Sequence, residues 1–303
     1  MKVSIVIPNF NGRNLLQKNL LKVEEAAGNA EILIVDNNSS DGSNNYIKNN
    51  FPKVKLVEEK KGQGFASSVN QGVSKASGDI IVLLNTDIIP ENGFLEPLLK
   101  NFDDPKVFAV GCLDKSHEKD SIIERGRAVA RFTRGMLIHS RGEVNKKNTF
   151  WVSGGSGAFR KSIWEKLKGM DDLFNPFYYE DIDLSYRAVK SGYKILFERK
   201  SIVHHYHEEG VIQTNFGVKE IEKIAFRNQF LFIWKNITDF KLLLCHIFYL
   251  PYYLLKAIFH KDRSMIIGFI NALERLPIII KKRIEVLHNY SVSDKEIFNQ
   301  FSL

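Results

Sequence analysis

Short apolar runs alternate with segments of helical periodicity along the first 90 residues of the chain. The apolar runs cover residues 2–8, 31–36, 54–58 and 80–84, and their length and apolar character are typical of buried strands. Between the runs, leucine and valine recur at helical spacing over residues 13–27, and residues 65–76 form another helical segment. Strands that alternate with helices predict a parallel sheet with helices on both faces.

The alternation weakens after residue 90. The pattern there predicts a helix over 92–102, a strand over 107–111, a strand over 151–159 with a kink at its glycine pair, helices over 161–167 and 181–191, and a strand over 193–198. Residues 113–150 are polar and basic with little periodicity, which predicts a long loop or a hairpin over a site. From about residue 219 the chain consists of long helices rich in Phe, Leu, Ile and Tyr.

The most apolar of these helices raises the question of membrane contact. Residues 242–255 are nearly all apolar but number only 14, Pro251 interrupts them, and extension to Phe259 gives 18 residues. A helix that spans a bilayer needs about 20 residues. Because basic residues lie alongside, the pattern favours a helix in the membrane interface over a packed helical core or a spanning helix. The basic residues are Lys256, Lys261, Arg263 and those at 281–283.

Composition narrows the compartment and the kind of protein. With 303 residues, 44% hydrophobic and 26% charged, the chain can form one large core, or one domain with an appendage. Its two cysteines, Cys112 and Cys245, form no CxxC motif, which argues against a disulfide framework or a zinc site. The chain begins directly with a strand rather than an export segment, so we expect a cytoplasmic protein.

The net charge of +8 is unevenly distributed. Residues 125–147 hold seven basic residues against one acid, and residues 220–303 hold twelve against eight. Such an excess indicates either an ordinary solvated surface or attraction to phosphates or anionic lipid. Nucleic acid is not expected as a partner, because no recognition-helix or RNA-binding signature accompanies the charge.

Polar residues follow three of the predicted strands, at 8–12, 36–39 and 85–87. Ligands of open parallel sheets bind outside the carboxyl ends of the strands. Asp36 can accept a hydrogen bond from a pyrimidine N–H or a ribose hydroxyl, and Asn9 or Asn11 can act similarly. Alternatively, Asp36 caps the next helix. Three polar strand ends on one edge of the sheet favour a nucleotide.

Two further groups of residues could supply chemistry. Asp87 suits a hard divalent cation that bridges a diphosphate, and one histidine of the cluster at 204–207 could complete that site. The segment 177–183 holds acids that could act as a general base, or that merely begin a helix. Asp183 is expected to serve the helix or to pair with Arg187.

The glycines at 62 and 64 follow a strand and precede a helix, but they differ from a dinucleotide fingerprint. That fingerprint belongs after the first strand, and Ser67 stands where its third glycine is needed. No GxxxxGK[ST] motif occurs in the sequence either. We therefore expect these glycines to shape a turn from which Asn70 faces the nucleotide.

Six segments follow one another over residues 1–210: Val3–Gly12, Ile34–Gly42, Gly64–Gly72, Leu83–Asp87, Val152–Ala158 and Tyr178–Arg187. In this order and spacing they resemble glycosyltransferase family 2, the inverting enzymes of the GT-A fold, and among them the rhamnosyltransferase-type enzymes of bacterial surface-polysaccharide assembly. The resemblance implies an α/β fold with a Rossmann-like, mostly parallel sheet flanked by helices. It implies a catalytic domain over 1–218, with a nucleotide-binding half at about 1–111 and an acceptor half at about 112–218. A helical, membrane-associating extension over 219–303 would follow.

The family pattern implies a role for each matching position. The expected nucleotide-binding residues are Pro8, Asn9, Asn11, Asp36, Asn38, Asn70, Asn85 and Thr86. Gly154 and Gly155 would let the backbone approach the donor sugar. Asp181 would be the catalytic base and Glu180 would bind the acceptor, although the two roles could be exchanged. Asp87 and His205 would bind Mg²⁺ or Mn²⁺, with His204 as the competing choice.

The implied reaction is a single displacement on a nucleoside-diphosphate sugar, possible donors including activated rhamnose. The acceptor oxygen would attack the anomeric carbon while Asp181 takes its proton, and the metal with Arg131 or Arg134 would neutralise the leaving diphosphate. The expected acceptor is a glycan or a lipid-linked sugar of the cell envelope, at the cytoplasmic face of the inner membrane. Asn85 stands where the family's first metal-site acid is common, so a catalytically inactive nucleotide-sugar-binding scaffold is one alternative. A nucleotidyltransferase is another.

Overall fold

The computed structural model describes residues 1–59, 62–206 and 216–301. Within these ranges the strands are β1 (Val3–Asn9), β2 (Glu31–Asp36), β3 (Lys55–Glu58), β4 (Ile80–Leu84), β5 (Ile88–Pro90), β6 (Val107–Glu118), β7 (Ser121–Arg125), β8 (Ala128–Thr133), β9 (Met136–Arg141), β10 (Ser156–Arg160) and β11 (Lys194–Tyr206). The helices before residue 200 are α1 (Arg13–Ala27), α2 (Ser43–Asn50), α3 (Phe65–Lys75), α4 (Leu95–Leu99), α5 (Lys161–Lys166) and α6 (Glu180–Lys190). The later helices are α7 (Val218–Asn236), α8 (Phe240–Phe259), α9 (Arg263–Leu273), α10 (Leu276–Leu287) and α11 (Asp294–Phe301).

One mixed sheet forms the centre of the fold. Across the described ranges its strand order is β3-β2-β1-β4-β10-β6-β11-β5, and β7 pairs with β6. Strands β3, β2, β1 and β4 are parallel to one another, as the alternating pattern predicts. Strand β10 runs antiparallel between β4 and β6, so it ends the purely parallel half of the sheet. The predicted α/β class is confirmed.

Both faces of the sheet are covered because its central strands are apolar on both sides. On one face Val6 packs with Val69 and Val73 of α3. On the other face Ile5 and its neighbours pack with Leu16 and Leu20 of α1. Strands buried on both faces read as continuous apolar runs, which is why β1, β2 and β4 were recognisable in the sequence.

The basic segment after residue 112 is more regular than its sequence suggests. The prediction of a structureless loop over 113–150 is wrong in part, because β6 continues to Glu118 and β7 pairs with it. Strands β8 and β9 form a separate two-stranded hairpin. The predicted hairpin is therefore present, and sheet pairing supplies the order that the weak periodicity concealed.

Buried charges fasten the C-terminal helices to α6. Asp183 is fully buried and accepts hydrogen bonds from Arg187 Nε (2.7 Å), Lys235 Nζ (2.8 Å) and Asn236 Nδ2 (2.7 Å). One turn beyond Tyr186, Lys190 Nζ donates to Asp294 Oδ1 at 2.7 Å. The expected pairing of Asp183 with Arg187 is confirmed. Because an unpaired buried charge is costly, these contacts hold α6 against α7 and α11.

Candidate active site

A cavity of about 480 Å³ opens at the carboxyl ends of β1 and β4. Its walls combine polar residues from these strand ends with aromatic residues from later in the chain. The lining residues are Pro8, Asn9, Phe10, Asn37, Gly62, Gly64, Phe65, Ser68, Asn85, Thr86, Asp87, Pro176, Phe177, Tyr178, His205 and Phe216. A more open groove of about 850 Å³ lies elsewhere, between the ends of α1 and α4. The smaller cavity is the candidate site, because Asn9, Asp87 and His205 line it.

Asn9 orders the polar end of the cavity. It is paired in register with Asp36 on β2, and its Nδ2 donates to Asp36 Oδ1 (2.9 Å) and lies 3.1 Å from Ser43 Oγ. The other oxygen of Asp36 accepts from Ser39 N at 3.0 Å. Asp36 is thus buried behind Asn9, which lines the cavity. Asn9 Oδ1 is buried on the side of Gly12 and has no partner among the described residues.

The loops after β1 and β2 are held in place by one another. Asn11 and Asn38 both adopt left-handed backbone angles, with φ of 49° and 62°. Asn11 N donates to Ser39 Oγ at 2.9 Å, and Ser40 N donates to Asn11 Oδ1 at 2.8 Å. Asparagine tolerates the left-handed region better than most residues. These asparagines therefore shape the loops beside the cavity rather than line it.

Asp87 and His205 meet at the wall of the cavity. His205 Nε2 lies 3.3 Å from Asp87 Oδ2, and His205 Nδ1 lies 3.0 Å from Asp114 Oδ2. Burial opposes the imidazolium charge, but the hydrogen bonds with Asp114 and Asp87 outweigh it and raise the pKa of His205 to about 9. At neutral pH a positive imidazolium therefore lies between two carboxylates.

Asp87 also has an oxygen free for a cation. Its Oδ1 is buried and has no hydrogen-bond partner within the described ranges. Carboxylate oxygens are the ligands that Mg²⁺ prefers, so Asp87 fits a Mg²⁺ or Mn²⁺ ion. His205 would join Asp87 as a ligand only by giving up the proton on Nε2, because a metal ligand must be deprotonated. In the described part of the chain no group of three or more His, Cys, Asp or Glu side chains surrounds this position. Phosphate oxygens and water would have to supply the remaining ligands.

Two glycines allow close packing beneath Asn85. A Cβ on Gly155 would lie 2.6 Å from Asn85 Nδ2, and a Cβ on Gly154 would lie 3.1 Å from the Phe65 ring. Asn85 N donates to Gly155 O at 3.0 Å. Any side chain at residue 155 would displace Asn85 from the cavity wall. Because they carry no side chains, Gly154 and Gly155 leave room for Phe65 and Asn85 to pack against them at the cavity wall.

Glu180 and Asp181 begin α6 after a strained entry. Tyr178 and Tyr179 both have positive φ (71° and 76°), which is costly for bulky side chains and tends to occur at functional sites. Asp181 Oδ2 accepts from Gly154 N (3.3 Å) and Oδ1 accepts from Ile182 N (2.8 Å), whereas Glu180 Oε2 is buried without a described partner. Neither carboxylate lines the cavity. Asp181 contacts Gly154, which packs against the lining residue Phe65.

The two acids differ in how readily they ionise. Burial raises the pKa of Glu180 well above its ordinary value, and the nearby Asp181 charge raises it further. Burial also raises the pKa of Asp181, but the Gly154 and Ile182 N–H groups limit that rise. Asp181 is therefore the more readily ionised member of the pair.

The structure brings together most of the predicted site residues and moves some away. Asn70 does not face the cavity as predicted, because its side-chain amide donates to Met170 O (2.7 Å) and accepts from Met170 N (3.0 Å). Arg131 and Arg134 lie on the β8–β9 hairpin outside the cavity lining. His204 Nε2 lies 2.9 Å from Glu91 Oε1, so His205 rather than His204 is placed against Asp87. His207 lies outside the described residues.

The aromatic walls of the cavity were not predicted from the sequence. Phe177 and Phe216 pack edge to face with ring centroids 4.9 Å apart, and Phe10, Phe65 and Tyr178 complete the walls. Aromatic walls suit a flat base or the apolar face of a sugar ring. The signal available in the sequence was that Phe10 and Phe65 directly follow Asn9 and Gly64.

A role for Asn228 on α7 was not predicted from the sequence either. It is fully buried, and its Nδ2 lies 2.9 Å from Phe174 O, 3.0 Å from Phe177 O and 2.8 Å from Tyr178 O. These carbonyls belong to the segment that leads into Glu180 and Asp181. Nothing in the sequence distinguishes this asparagine from other polar residues of a long helix.

We expect Asn228→Ala to lower the free energy of unfolding by about 1–3 kcal/mol, because it leaves buried carbonyl oxygens without their donor. The neighbouring Gln229 provides a matched control, since its Nε2 donates to a single carbonyl, Leu137 O, at 2.8 Å. Gln229→Ala should cost about 1 kcal/mol or less. Urea unfolding of both variants checks this expectation, and equal losses would contradict it.

Comparison with known proteins identifies relatives of this chain. The family model for Glycosyl transferase family 2 matches residues 4–167, more than half of the chain. The pre-mycofactocin glycosyltransferase of Mycobacterium tuberculosis is 24% identical over 213 residues, which are 68% of this chain and 43% of that protein. The O-antigen chain rhamnosyltransferase WbaN of Salmonella anatum is 23% identical over 210 residues, 67% of this chain and 66% of that protein. The chain thus spans less than half the length of the first relative.

A solved structure shows the same fold. The mannosyltransferase PcManGT of Pyrobaculum calidifontis, solved with GDP-Man and Mn²⁺, superimposes with a TM-score of 0.59 at 17% identity. The match covers 95% of this chain and 85% of that one. At this identity the likeness concerns the fold alone, and it confirms the predicted GT-A arrangement.

Proposed function

Because this chain belongs to glycosyltransferase family 2, we propose that it transfers a sugar from a nucleoside diphosphate to a glycan or lipid-linked acceptor in cell-surface polysaccharide synthesis. The observation that carries this proposal is one continuous cavity with three kinds of chemistry around it. Asn9 lies at a polar end, and Asp87 and His205 form an acidic and basic pair. Asp181 lies outside the lining and accepts a hydrogen bond from Gly154, which packs against the wall residue Phe65. A base with its ribose, a diphosphate and a reacting sugar need these surroundings.

The nucleoside is assigned to the end of the cavity between the β1 loop and the aromatic wall. Pro8 and Asn9 lie there, with Asp36 behind Asn9 and with Asn11 and Asn38 shaping the adjoining loops. Asn85 and Thr86 lie next to Asp87 and lead from the nucleoside towards the sugar. Asn85 packs tightly against Gly155, and this packing accounts for an uncharged amide at residue 85. The absence of an acid at that position therefore does not imply that catalysis has been lost.

The proposed reaction is a single displacement with inversion. The acceptor hydroxyl passes its proton to Asp181 as its oxygen forms a bond to the anomeric carbon, and the bond from that carbon to the diphosphate breaks. The Gly154 N–H fixes Asp181 in position, and Glu180, the less acidic carboxyl, is left to bind the acceptor as a hydrogen-bonding group. A Mg²⁺ or Mn²⁺ ion held by Asp87 and His205 would neutralise charge on the departing nucleoside diphosphate.

Rhamnose is the donor sugar that we propose first, on the strength of the similarity to WbaN. The test is turnover of a panel of nucleotide sugars, including dTDP-rhamnose, UDP-glucose and GDP-mannose, with Mg²⁺, Mn²⁺ or EDTA. We expect one donor to be consumed, with the released nucleoside diphosphate as the readout and the product of inverted anomeric configuration. Tight nucleotide binding without consumption of any donor would favour an inactive scaffold. Formation of a nucleoside triphosphate and a sugar 1-phosphate after addition of pyrophosphate would favour a nucleotidyltransferase.

The location of the reaction follows from the nature of the acceptor. A lipid-linked acceptor is embedded in a bilayer, and nucleotide sugars are expected in the cytoplasm, so we place the enzyme on the cytoplasmic face of the membrane. In this proposal residues 1–218 form the catalytic domain and residues 219–303 contact the membrane. Helix α8 is long and apolar enough to cross a bilayer, and only 11% of its most apolar stretch is buried.

A further inference from the structure

Helix α8 carries an exposed apolar face along its whole length. Its exposed side chains include Phe240 (70% exposed), Ile247 (64%), Phe248 (78%) and Phe259 (82%), with Leu244, Leu255 and Ile258 between them. At about 100° per residue, these positions fall within roughly 120° of the helix circumference. An exposed apolar surface of this extent marks contact with another molecule or with a membrane.

The opposite face of α8 is fixed to the protein. His246 Nδ1 lies 2.6 Å from Gly135 O on the β8–β9 hairpin, and Trp234 Nε1 of α7 donates to His246 Nε2 at 2.9 Å. Ala257, nearly three turns further along, is buried in the same core cluster. The helix therefore lies along the surface of the domain, and it cannot cross a bilayer without breaking these contacts.

We propose that α8 lies flat in the headgroup region of an anionic bilayer, with the face around Ile247 and Phe248 among the acyl chains. Exposed basic side chains lie towards both ends of this face and form its rim: Lys241 near the start of α8, Lys256 in its last turn, and Lys261 and Arg263 directly after it. Anionic lipid complements such a rim, as in interfacial helices. A second copy of the chain is the poorer partner, because a two-fold contact through this face would bring equivalent basic residues towards each other.

The β8–β9 hairpin connects this face to the acid end of the active site. Gly135 contacts α8 through His246, and four residues along β9 the His139 ring lies 5.8 Å from Tyr179, which precedes Glu180. Four residues of strand cover about 13 Å. The bilayer surface would thus lie close to the carboxyl that receives the acceptor proton. This geometry suits a sugar carried on a membrane lipid, an assignment that rests on the proposed function.

Vesicle flotation of the full-length protein tests the proposal. The vesicles contain phosphatidylcholine alone or with 30% phosphatidylglycerol, and the test variant is the double substitution Ile247→Ser and Phe248→Ser. The control is Leu21→Ser with Ile122→Ser, which removes two apolar side chains that are also more than half exposed (55% and 58%) from α1 and β7. We expect the wild type and the control to float with anionic vesicles and the test variant to bind at least tenfold less. Circular dichroism checks that each variant is folded.

The other outcomes overturn the proposal in distinguishable ways. If the wild-type protein does not float with anionic vesicles, the proposal is wrong. If the protein stays with the membrane after alkaline carbonate extraction, α8 spans the bilayer instead. Dimerisation that the double substitution abolishes, without vesicle binding, would assign the face to a second copy. Flotation does not depend on catalysis, and nucleotide-sugar consumption with a soluble acceptor does not depend on vesicles. Failure of this inference is therefore separable from failure of the proposed function.

Discussion

Asp181→Asn is expected to lower kcat by about 10³-fold, which is within the range contributed by a positioned general base. Asparagine keeps the shape of the side chain and an oxygen for the Gly154 N–H, but it cannot take up the acceptor proton. The nucleoside end of the cavity is untouched, so the dissociation constant of the nucleoside diphosphate should stay within about twofold. Turnover assays and calorimetric titration measure the two quantities separately.

Glu180→Gln supplies the matched comparison for the assignment of the base. Glu180 adjoins Asp181 on α6, but burial already favours its neutral form. A glutamine resembles that neutral form, so we expect a rise in the acceptor KM and a much smaller fall in kcat. If Glu180→Gln abolishes turnover while Asp181→Asn retains it, the two roles must be exchanged. If neither substitution affects kcat, the base lies elsewhere.

Asp87→Asn should lower kcat/KM by about 10²–10³-fold and remove stimulation by Mn²⁺. The magnitude is that of losing one group that stabilises developing charge in the transition state. The substitution removes a carboxylate whose Oδ1 lacks a described partner and whose Oδ2 faces His205. Turnover measured as a function of Mn²⁺ concentration provides the readout. A weakened metal site first raises the Mn²⁺ concentration needed for half-maximal turnover, and only a more severe loss lowers the maximal turnover.

The control for Asp87 is Asp120→Asn, the same chemical change on an exposed residue between β6 and β7. It should leave both kcat/KM and the Mn²⁺ midpoint unchanged. Asp87→Asn with a wild-type response to Mn²⁺ would show that the cation, if required, is held elsewhere. Full activity of the wild type in EDTA would show that His205 and the remaining polar groups stabilise the leaving group without a metal.

The parallel half of the sheet was predictable because its signals are local. Strands β1, β2 and β4 are buried on both faces, so their sequences are uninterrupted apolar runs, and the polar residues that end them share one edge. Asp87 lies three residues after the end of the last of these strands, β4. Asn9 and Asp36 were placed side by side by the parallel register alone.

The chain after residue 111 was less predictable because its order depends on contacts distant in sequence. The β6 extension was read as a loop because its order arises from pairing with β7 and β11. Asn70 was misassigned because its partner, Met170, lies 100 residues away. The histidine choice required strand alternation, which turns His204 towards Glu91 and His205 towards Asp87.

The contacts from α7 and α11 to the acid-bearing segment have a consequence for the order of synthesis. Asp181 leaves the ribosome before Asn228, Lys235 and Asp294, the residues that clamp its segment and its helix. The nucleotide-binding strands can pair as soon as residues 1–84 have emerged. Asp181 and the wall residues Phe177 and Tyr178 are held in their final positions only after residues 228–294 have also been made. The strand ends of the cavity therefore form earlier than its wall at Phe177 and Tyr178.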